Sequence, residues 1–356
     1  MKIFLTGGTG FIGRPLTQSL LTRGWQVVAL VRKPDSPQAR ALEQMGAQCV
    51  PGDVTDRESM RTAMTGANIV VHNAAWYEVG ITKKAQALMH AINVTGTDNV
   101  LGLVQELGIP RTVYVSSTTY YGDSGPEVRD ESYRRQKPYR FYYEQSKAEA
   151  HEVALHYQYR GLPLIIVCPA HVVGPNDHSV WGYFLRLYVN RIMTPFAWSP
   201  SVMNSAAHVN DVSEGIALAA EKGRNGETYI LAGDSMSLRE VLNVWRTKPG
   251  GFKVRFYIPT WLAWVLFALL EPVLRLVGLP AFISREVVMA SMNLNYSSVK
   301  AQRELGWTYQ PAKEMWLGIV DEELALLANR QKRDLVSRLK PVDTAVTPQP
   351  TSQPVN

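Results

Sequence analysis

Thr6-Gly7-Gly8-Thr9-Gly10-Phe11-Ile12-Gly13 stands between a short apolar run, Ile3-Phe4-Leu5, and a segment in which Ile12, Leu16 and Leu20 recur every four residues. A strand that turns through glycines into a helix is the reading this stretch imposes. Gly7 permits the tight turn, Gly10 lets backbone come close to a bulky anion, and Gly13 lets the helix lie against the strand. The helix N-terminus then offers N–H groups and a partial positive charge to phosphate. With a strand before it and a helix after it, the loop predicts a dinucleotide cradle made by Gly7, Gly10, Phe11, Ile12 and Gly13.

Outward from this loop, apolar runs at residues 27–31, 69–72, 112–116 and 164–168 alternate with helical patterns. Strands that are apolar at nearly every position are buried on both faces, as in a parallel sheet covered by helices. The alternation predicts an α/β chain with a Rossmann-type doubly wound parallel sheet. Past residue 174 the pattern loosens: Pro175, Pro195 and Pro200 interrupt an aromatic-rich stretch, and Tyr229-Ile230-Leu231 reads as one more strand. Residues 1–173 with 208–233 are therefore expected to form the NAD(P)-binding domain. A smaller, mainly helical substrate-binding lobe is expected from 174–207 and 234–330. The remainder, 331–356, reads as a basic helix end and a disordered Pro/Thr/Gln-rich tail.

Composition narrows the function. At 356 residues, 46% hydrophobic and 19% charged, the chain has enough apolar side chains for a sizeable core. Much of its net charge of +6 sits near the end, where Arg330, Lys332, Arg333, Arg338 and Lys340 stand against Asp334. The rest is close to neutral, which argues against nucleic-acid binding. Two cysteines, Cys49 and Cys168, make no disulfide framework, and the apolar run at the N-terminus is too short for a signal peptide. A cytoplasmic protein is expected.

The second apolar run ends in Val31-Arg32-Lys33. A cofactor with a free ribose 2′-hydroxyl usually meets an acid at that strand end. Here Val31 is apolar and the guanidinium of Arg32 suits a 2′-phosphate. NADP(H) is the favoured cofactor; Arg32 as a merely solvated side chain is the competing reading, which keeps NAD(H) open.

Tyr143-Glu144-Gln145-Ser146-Lys147 lies in a helical segment, so Tyr143 and Lys147 share one face. An ammonium beside the phenol is expected to bring its pKa toward the working range. Ser117 closes the fourth strand, and strand C-termini are where open α/β sheets bind ligands. Ser117, Tyr143 and Lys147 form a set able to polarise a carbonyl and move its proton.

These pieces resemble the extended short-chain dehydrogenase/reductases, the superfamily of nucleotide-sugar epimerases, dehydratases and dihydroflavonol-type reductases. Further matching stretches are Gly52-Asp53-Val54, His72-Asn73-Ala74-Ala75, Asn93-Val94-Thr95-Gly96-Thr97, Pro169-Ala170-His171-Val172-Val173-Gly174-Pro175, His208-Val209-Asn210-Asp211 and Leu305-Gly306-Trp307. The resemblance implies that Asp53 and Val54 border the adenine, and that Ala74 and Ala75 line the ribose and phosphate path. Tyr143 and Lys147 would also touch the cofactor, Lys147 at the nicotinamide ribose. Pro169, Ala170 and Val172 would hold the carboxamide, and Asn93 would brace the site. Cys168 stands where relatives often carry Arg, which puts only local packing in doubt.

Substrate is read from departures. Dehydratases of this superfamily carry an Asp-Glu pair after the Ser; here Thr118 and Thr119 stand there. Asn204 replaces an Arg that many nucleotide-sugar enzymes place before the His-Val-Asp-Asp element, although Arg186, Arg191 or Arg255 could substitute. The apolar run 261–270 is too short to span a membrane. It reads as a buried helix, against two rivals: a wall for a lipophilic substrate, or a surface that touches membrane. Residues 134–140, Arg-Arg-Gln-Lys-Pro-Tyr-Arg, read as a solvated basic loop, or else as a site for an acidic group. Neither His171 nor His208 has a metal-binding spacing, and no metal is expected. The resulting expectation is an NADP(H)-dependent reductase of a ketone or aldehyde on a small, fairly apolar molecule, similar to the dihydroflavonol-reductase branch. The alternatives are an NAD-dependent nucleotide-sugar 4-epimerase and a dinucleotide-sensing scaffold. A homodimer and peripheral membrane contact stay open as partners.

Overall fold

The structure, a computed structural model, describes residues 1–248, 254–276 and 284–328. The tail expected at 331–356 lies outside them. In chain order the strands are β1 (Lys2–Thr6), β2 (Gln26–Val31), β3 (Gln48–Pro51), β4 (Ile69–His72), β5 (Thr112–Val115) and β6 (Leu164–Pro169). They continue with β7 (Val172–Val173), β8 (Phe196–Trp198), β9 (Met203–Asn204), β10 (Ala207–His208), β11 (Thr228–Leu231), β12 (Met236–Ser237) and β13 (Phe256–Ile258).

Seven of these make the central sheet, in the order β3-β2-β1-β4-β5-β6-β11, every neighbouring pair parallel. This is the expected doubly wound fold. The order reverses between β1 and β4, and the gap there is where such sheets take a ligand. The edge strand β3 was not read from the sequence, since its side chains are only half-buried and its apolar signal is weak.

Alternation along each strand supplies two cores. Ile3 and Leu5 face one side with Val27, Ala29, Ile165 and Val167. Helices α1 (Gly13–Thr22), α2 (Pro37–Met45) and α8 (Val209–Lys222) cover them with Leu16, Leu20, Leu42, Val212 and Ile216. Phe4, Val28, Leu30 and Ile166 face the other side. There α3 (Arg57–Met64), α5 (Gly96–Glu106) and α6 (Tyr142–Tyr159) bury Met60, Val100, Val104 and Ala150. Helix α4 (Lys83–His90) runs into α5 through a wide π turn at Ala91–Thr95. A third core joins α7 (Val180–Val189), α9 (Leu238–Trp245) and α13 (Ala312–Ala328), with Trp245 and Trp316 fully buried. Helices α10 (Thr260–Leu276), α11 (Arg285–Met289) and α12 (Val299–Leu305) complete the described elements.

Local chemistry sets the helix starts. Ser36 accepts from Ala39 N (3.2 Å) at the head of α2, and Gly46 ends that helix with φ 105°. Helix α1 differs: its N-cap is Ile12 and it takes no side-chain cap. Its first glycine sits hard against the loop. A Cβ on Gly13 would lie 1.9 Å from the Gly7 carbonyl oxygen, and one on Gly7 (φ +72°) would lie 2.7 Å from Ala74 N. Backbone meets backbone at both points.

Two predictions follow from packing and burial. Gly13→Ala should cost about 1–3 kcal/mol, as overpacking against rigid backbone does. Gly318→Ala, on the open exposed face of α13, should instead gain up to about 1 kcal/mol. Urea midpoints moving in the same direction would contradict this. His72 and His151 are buried and held neutral, each pushed down to about 3 chiefly by desolvation. Their folded pKa values lie below the ordinary 6.5, so this stability is present above pH 6.5 and is lost as pH falls toward 3. At pH 5 each histidine should cost about 2 kcal/mol. Asp177, raised to about 6 by burial, works the other way and offsets about 1 kcal/mol. Melting temperature should therefore fall between pH 7.5 and 5; a flat profile would show that these imidazoles charge freely in the fold.

Candidate active site

Above the C-terminal strand ends lies a cavity of about 1510 Å³. Along the sheet from β2 to β6 its lining passes Arg32, Asp53 and Val54, then Gly7, Gly10, Phe11 and Ile12, then Ala74, Ala75, Trp76 and Tyr77. Ser117, Tyr143 and Lys147 follow, with Ala170, His171 and Val172 beyond. Three of the expected site residues lie behind this lining. Gly13 packs on the Gly7–Gly8 backbone, Pro169 is buried at the end of β6, and Asn93 is 2% exposed inside the π turn.

Asn93 is fully used. Its Oδ1 accepts from Trp76 N (2.7 Å), while its Nδ2 donates to the Trp76 carbonyl (3.0 Å) and to Ser146 Oγ (3.0 Å) on α6. The chain of bonds continues backward. Thr97 Oγ1 donates its single proton to the Asn93 carbonyl (2.7 Å), so at the 3.1 Å contact with His72 Nε2 it accepts. Nδ1 of the neutral imidazole then accepts from Thr6 Oγ1 (2.8 Å), which in turn accepts from Ala74 N (3.1 Å). One continuous chain thus ties the glycine loop to the helix that carries Tyr143 and Lys147.

Lys147 is 3% exposed; its Nζ donates to the Val115 carbonyl (3.0 Å) and stands 5.2 Å from the centre of the Tyr114 ring. Burial lowers its pKa to about 8. Tyr143, one turn earlier, meets the Tyr77 ring edge-on at 4.7 Å. Burial pushes its phenol up to about 12, while the Ser117 hydroxyl pulls weakly in the opposite direction. The expected lowering by the ammonium is not what this geometry gives. Desolvation is the largest influence on the phenol, and Tyr143 holds its proton at neutral pH. Ser117 is 9% exposed, and its Oγ also accepts from Thr119 N (3.2 Å).

The far wall was not singled out in the sequence as a set. Trp181 and Phe184 of α7, Phe196 and Trp198 of β8, Leu238, Leu242 and Trp245 of α9, and Met292 and Leu294 converge there. They span residues 181–294, and no local pattern in the sequence links them. The carboxylates among the lining residues are Asp53 and Asp177. Asp177 accepts from Ser179 N (2.6 Å), Ser179 Oγ (2.6 Å) and Gly182 N (3.0 Å), so it caps α7. Thr118 and Thr119 stand buried beside Ser117.

The cationic residues suggested for a substrate phosphate lie elsewhere. Arg186, 2% exposed, pairs with Glu323 at 3.5 Å, and neither Arg191 nor Arg255 lines the cavity. The lining arginines are Arg14 and Arg32, both toward the glycine loop and the β2 end. Residues 134–140 are exposed at Arg134, Gln136, Lys137, Pro138 and Tyr139, as expected of a solvated loop, but three of the cations also bind carboxylates of the fold. Arg135 pairs with buried Glu144 at 2.6 Å, and Lys137 (3.0 Å) and Arg140 both grip Asp123. His208 caps α8 by accepting from Asn210 N (3.2 Å). His171 meets Trp181 edge-on at 6.1 Å and is held down to about 4 by burial. Among the described residues no group of three His, Cys, Asp or Glu is placed to hold a metal ion.

Known proteins are similar to this chain in sequence and fold. The model of the NAD dependent epimerase/dehydratase family matches residues 3–232. A Synechocystis sp. protein provisionally named a dihydroflavonol 4-reductase is 33% identical over 328 residues, covering 87% of this chain and 91% of that one. A 4-hydroxy-2-methyl-3-oxo-4-farnesyl-3,4-dihydroquinoline-1-oxide ketoreductase of Stigmatella aurantiaca is 34% identical over 249 residues, or 68% of this chain and 72% of that one. The crystal structure of gox2253 superposes with a TM-score of 0.73 at 27% identity, covering 93% of this chain and 99% of the other. The chain belongs to the NAD dependent epimerase/dehydratase family and is an NAD(P)-dependent enzyme of the extended short-chain dehydrogenase/reductase type.

Proposed function

We propose that this enzyme is an NADP(H)-dependent oxidoreductase that reduces a ketone or aldehyde on a small, fairly apolar molecule. The observation that carries the reading is the cavity itself: Ser117, Tyr143 and Lys147 open onto a wall of Trp181, Phe184, Trp198 and Trp245, while the lining arginines lie toward the cofactor loop. Pockets of that composition hold molecules by apolar area and orient them with a few polar groups. The Stigmatella relative, a ketoreductase of a farnesylated quinoline oxide by its name, supports carbonyl reduction on such a skeleton.

The loop residues suit a dinucleotide. Gly10 leaves its cavity side open, with only the Gly7 oxygen within reach of an added Cβ (3.3 Å), and the uncapped start of α1 faces the same space. In this reading Gly7, Gly10, Phe11 and Ile12 hold the pyrophosphate, and Gly13 sets the close packing beneath it. Asp53 and Val54 border the adenine, and Ala74 and Ala75 flank the ribose path. Pro169, Ala170 and Val172 shape the nicotinamide end, and Asn93 braces the wall. When bound, the cofactor supplies hydride.

The chain's own groups do the rest. Ser117 Oγ and the Tyr143 hydroxyl donate hydrogen bonds to the substrate oxygen. Tyr143, kept protonated by burial, gives its proton to the forming alkoxide. Lys147 steadies the phenolate left behind and reaches the ribose hydroxyls. Residues 1–173 with 208–233 hold the cofactor in this scheme, and 174–207 with 234–330 meet the substrate. Cys49 and Cys168 are both free thiols, which supports a reducing compartment such as the cytoplasm.

The test is NADPH consumption across a panel of hydrophobic ketones, hydrophobic aldehydes and UDP- and dTDP-sugars. Turnover is expected with a carbonyl compound and should fall about 10²–10⁴-fold in Tyr143→Phe, with cofactor binding retained. A 4-epimerase returns its hydride and consumes no net NADPH, so interconversion of a UDP-sugar with its 4-epimer, followed by chromatography, with no carbonyl compound reduced would make that chemistry the better reading. For the cofactor, Arg32→Ala should weaken NADPH by about 1.5–3 kcal/mol and leave NADH nearly unchanged. Equal affinity of the wild-type enzyme for the two dinucleotides in a fluorescence titration would refute the 2′-phosphate role of Arg32.

A further inference from the structure

Helix α10 is apolar on both of its sides. Inward, Ala263 is fully buried and Phe267 meets the Trp198 ring at 5.2 Å. Outward, Trp261, Trp264, Val265 and Leu269 are 67%, 40%, 37% and 71% exposed. Their spacing of three, four and eight residues from Trp261 places them on one face. A surface helix ordinarily turns charged and polar residues to water. This one turns two indoles and branched aliphatics, the composition of a surface that is covered in use. Phe256, 52% exposed on β13, extends the apolar area toward the strand that leads into the helix.

The cover can be read from length, side-chain chemistry and charge. Residues 261–270 reach about 15 Å as a helix, half the thickness of a bilayer core, so the segment fits along a membrane surface and not through it. No described helix is long and apolar enough to cross. Tryptophan favours the interfacial zone, where its ring is buried and its N–H stays wet. Arg255, next to Phe256, and Arg285, at the head of α11 packed on α10, are exposed at the rim. The nearby Glu271 turns its carboxylate to the Arg285 backbone N (3.4 Å). Arg255 and Arg285 both carry positive charge at neutral pH. Anionic headgroups complement them.

We propose that α10 docks this enzyme on an anionic lipid bilayer, with Trp261, Trp264, Val265 and Leu269 in the acyl boundary and Arg255 and Arg285 among the headgroups. The docked face is one side chain away from the catalytic cavity. Phe267 packs on Trp198, Trp198 meets Phe184 at 5.9 Å, and both of the latter line the cavity. Docking stands whichever carbonyl compound the site takes, because it rests on the outer face of the helix alone.

The test is co-sedimentation of the full chain with phosphatidylcholine vesicles, with and without about 30% phosphatidylglycerol. Tryptophan emission and sedimentation velocity are recorded on the same samples. The protein is expected to pellet with the anionic vesicles, with a blue shift in emission and release by salt. Trp261→Ser/Trp264→Ser/Leu269→Ser should weaken binding at least about tenfold at an unchanged melting temperature, since the replaced side chains are exposed. If that variant melts early, Arg285→Glu, which keeps the stripe, should still weaken binding to the anionic vesicles. Absence of wild-type binding, or binding that the triple variant retains, would overturn the proposal. So would a dimer that the triple variant dissolves without any vesicle binding. Equal partitioning onto both kinds of vesicle would remove the role given to the arginines.

Discussion

A single neutral imidazole, His72, holds the two halves of the site in register. It accepts from Thr6 at the end of β1 and donates to Thr97 on α5, and the bonds run on through Asn93 to the Trp76 backbone and to Ser146. The loop expected to cradle phosphate and the helix that carries the phenol are thereby positioned by one chain of short bonds in a desolvated interior. Burial makes the arrangement stiff, because each unmade bond would leave a polar group with no water to replace it. A charged His72 would need two acceptors where Thr6 has already turned its proton inward. The same desolvation that keeps His72 neutral keeps Tyr143 protonated and Lys147 less basic. The electrostatic character of the site is a product of its packing.

Much of this was legible in the sequence because it rests on local rules. Ile3 to Leu5 and its partners announce strands buried on two faces, and the structure pairs them as a parallel sheet. Glycines at 7, 10 and 13 require close backbone approach, and the clashes an added Cβ would meet at Gly7 and Gly13 show why. Tyr143 and Lys147 share a helix face by simple periodicity. The cofactor and substrate roles of these residues go beyond that geometry and rest on the proposal.

What the sequence withheld is non-local. The aromatic wall is assembled from α7, β8, α9 and the strand-like stretch around Met292, and no spacing links these positions before the chain folds. The 134–140 segment is legible only in part for a related reason. Its exposure is legible, but not that Arg135 and Arg140 turn to Glu144 and Asp123, nine and seventeen residues away. The pull on the Tyr143 phenol was misread because the sequence shows which charges are near and not how much water has left. Residues 261–270 show the converse: their apolarity is plain in the sequence, but only the fold shows that half of it faces outward.

The buried pair of Arg186 and Glu323 reaches past the cavity. Arg186 lies on α7, the helix that supplies Trp181 and Phe184 to the cavity wall, and the Glu323 carboxylate comes from α13, where its Oε1 also accepts from Asn176 N at 2.8 Å. A product of early translational termination anywhere before residue 323 would carry the whole glycine loop, Ser117, Tyr143 and Lys147. It would also leave Arg186, 2% exposed, without the Glu323 carboxylate. The glycine loop, Ser117, Tyr143 and Lys147 thus all precede the last described helix, while the aromatic wall they face is packed only once α13 is in place against α7 and α9.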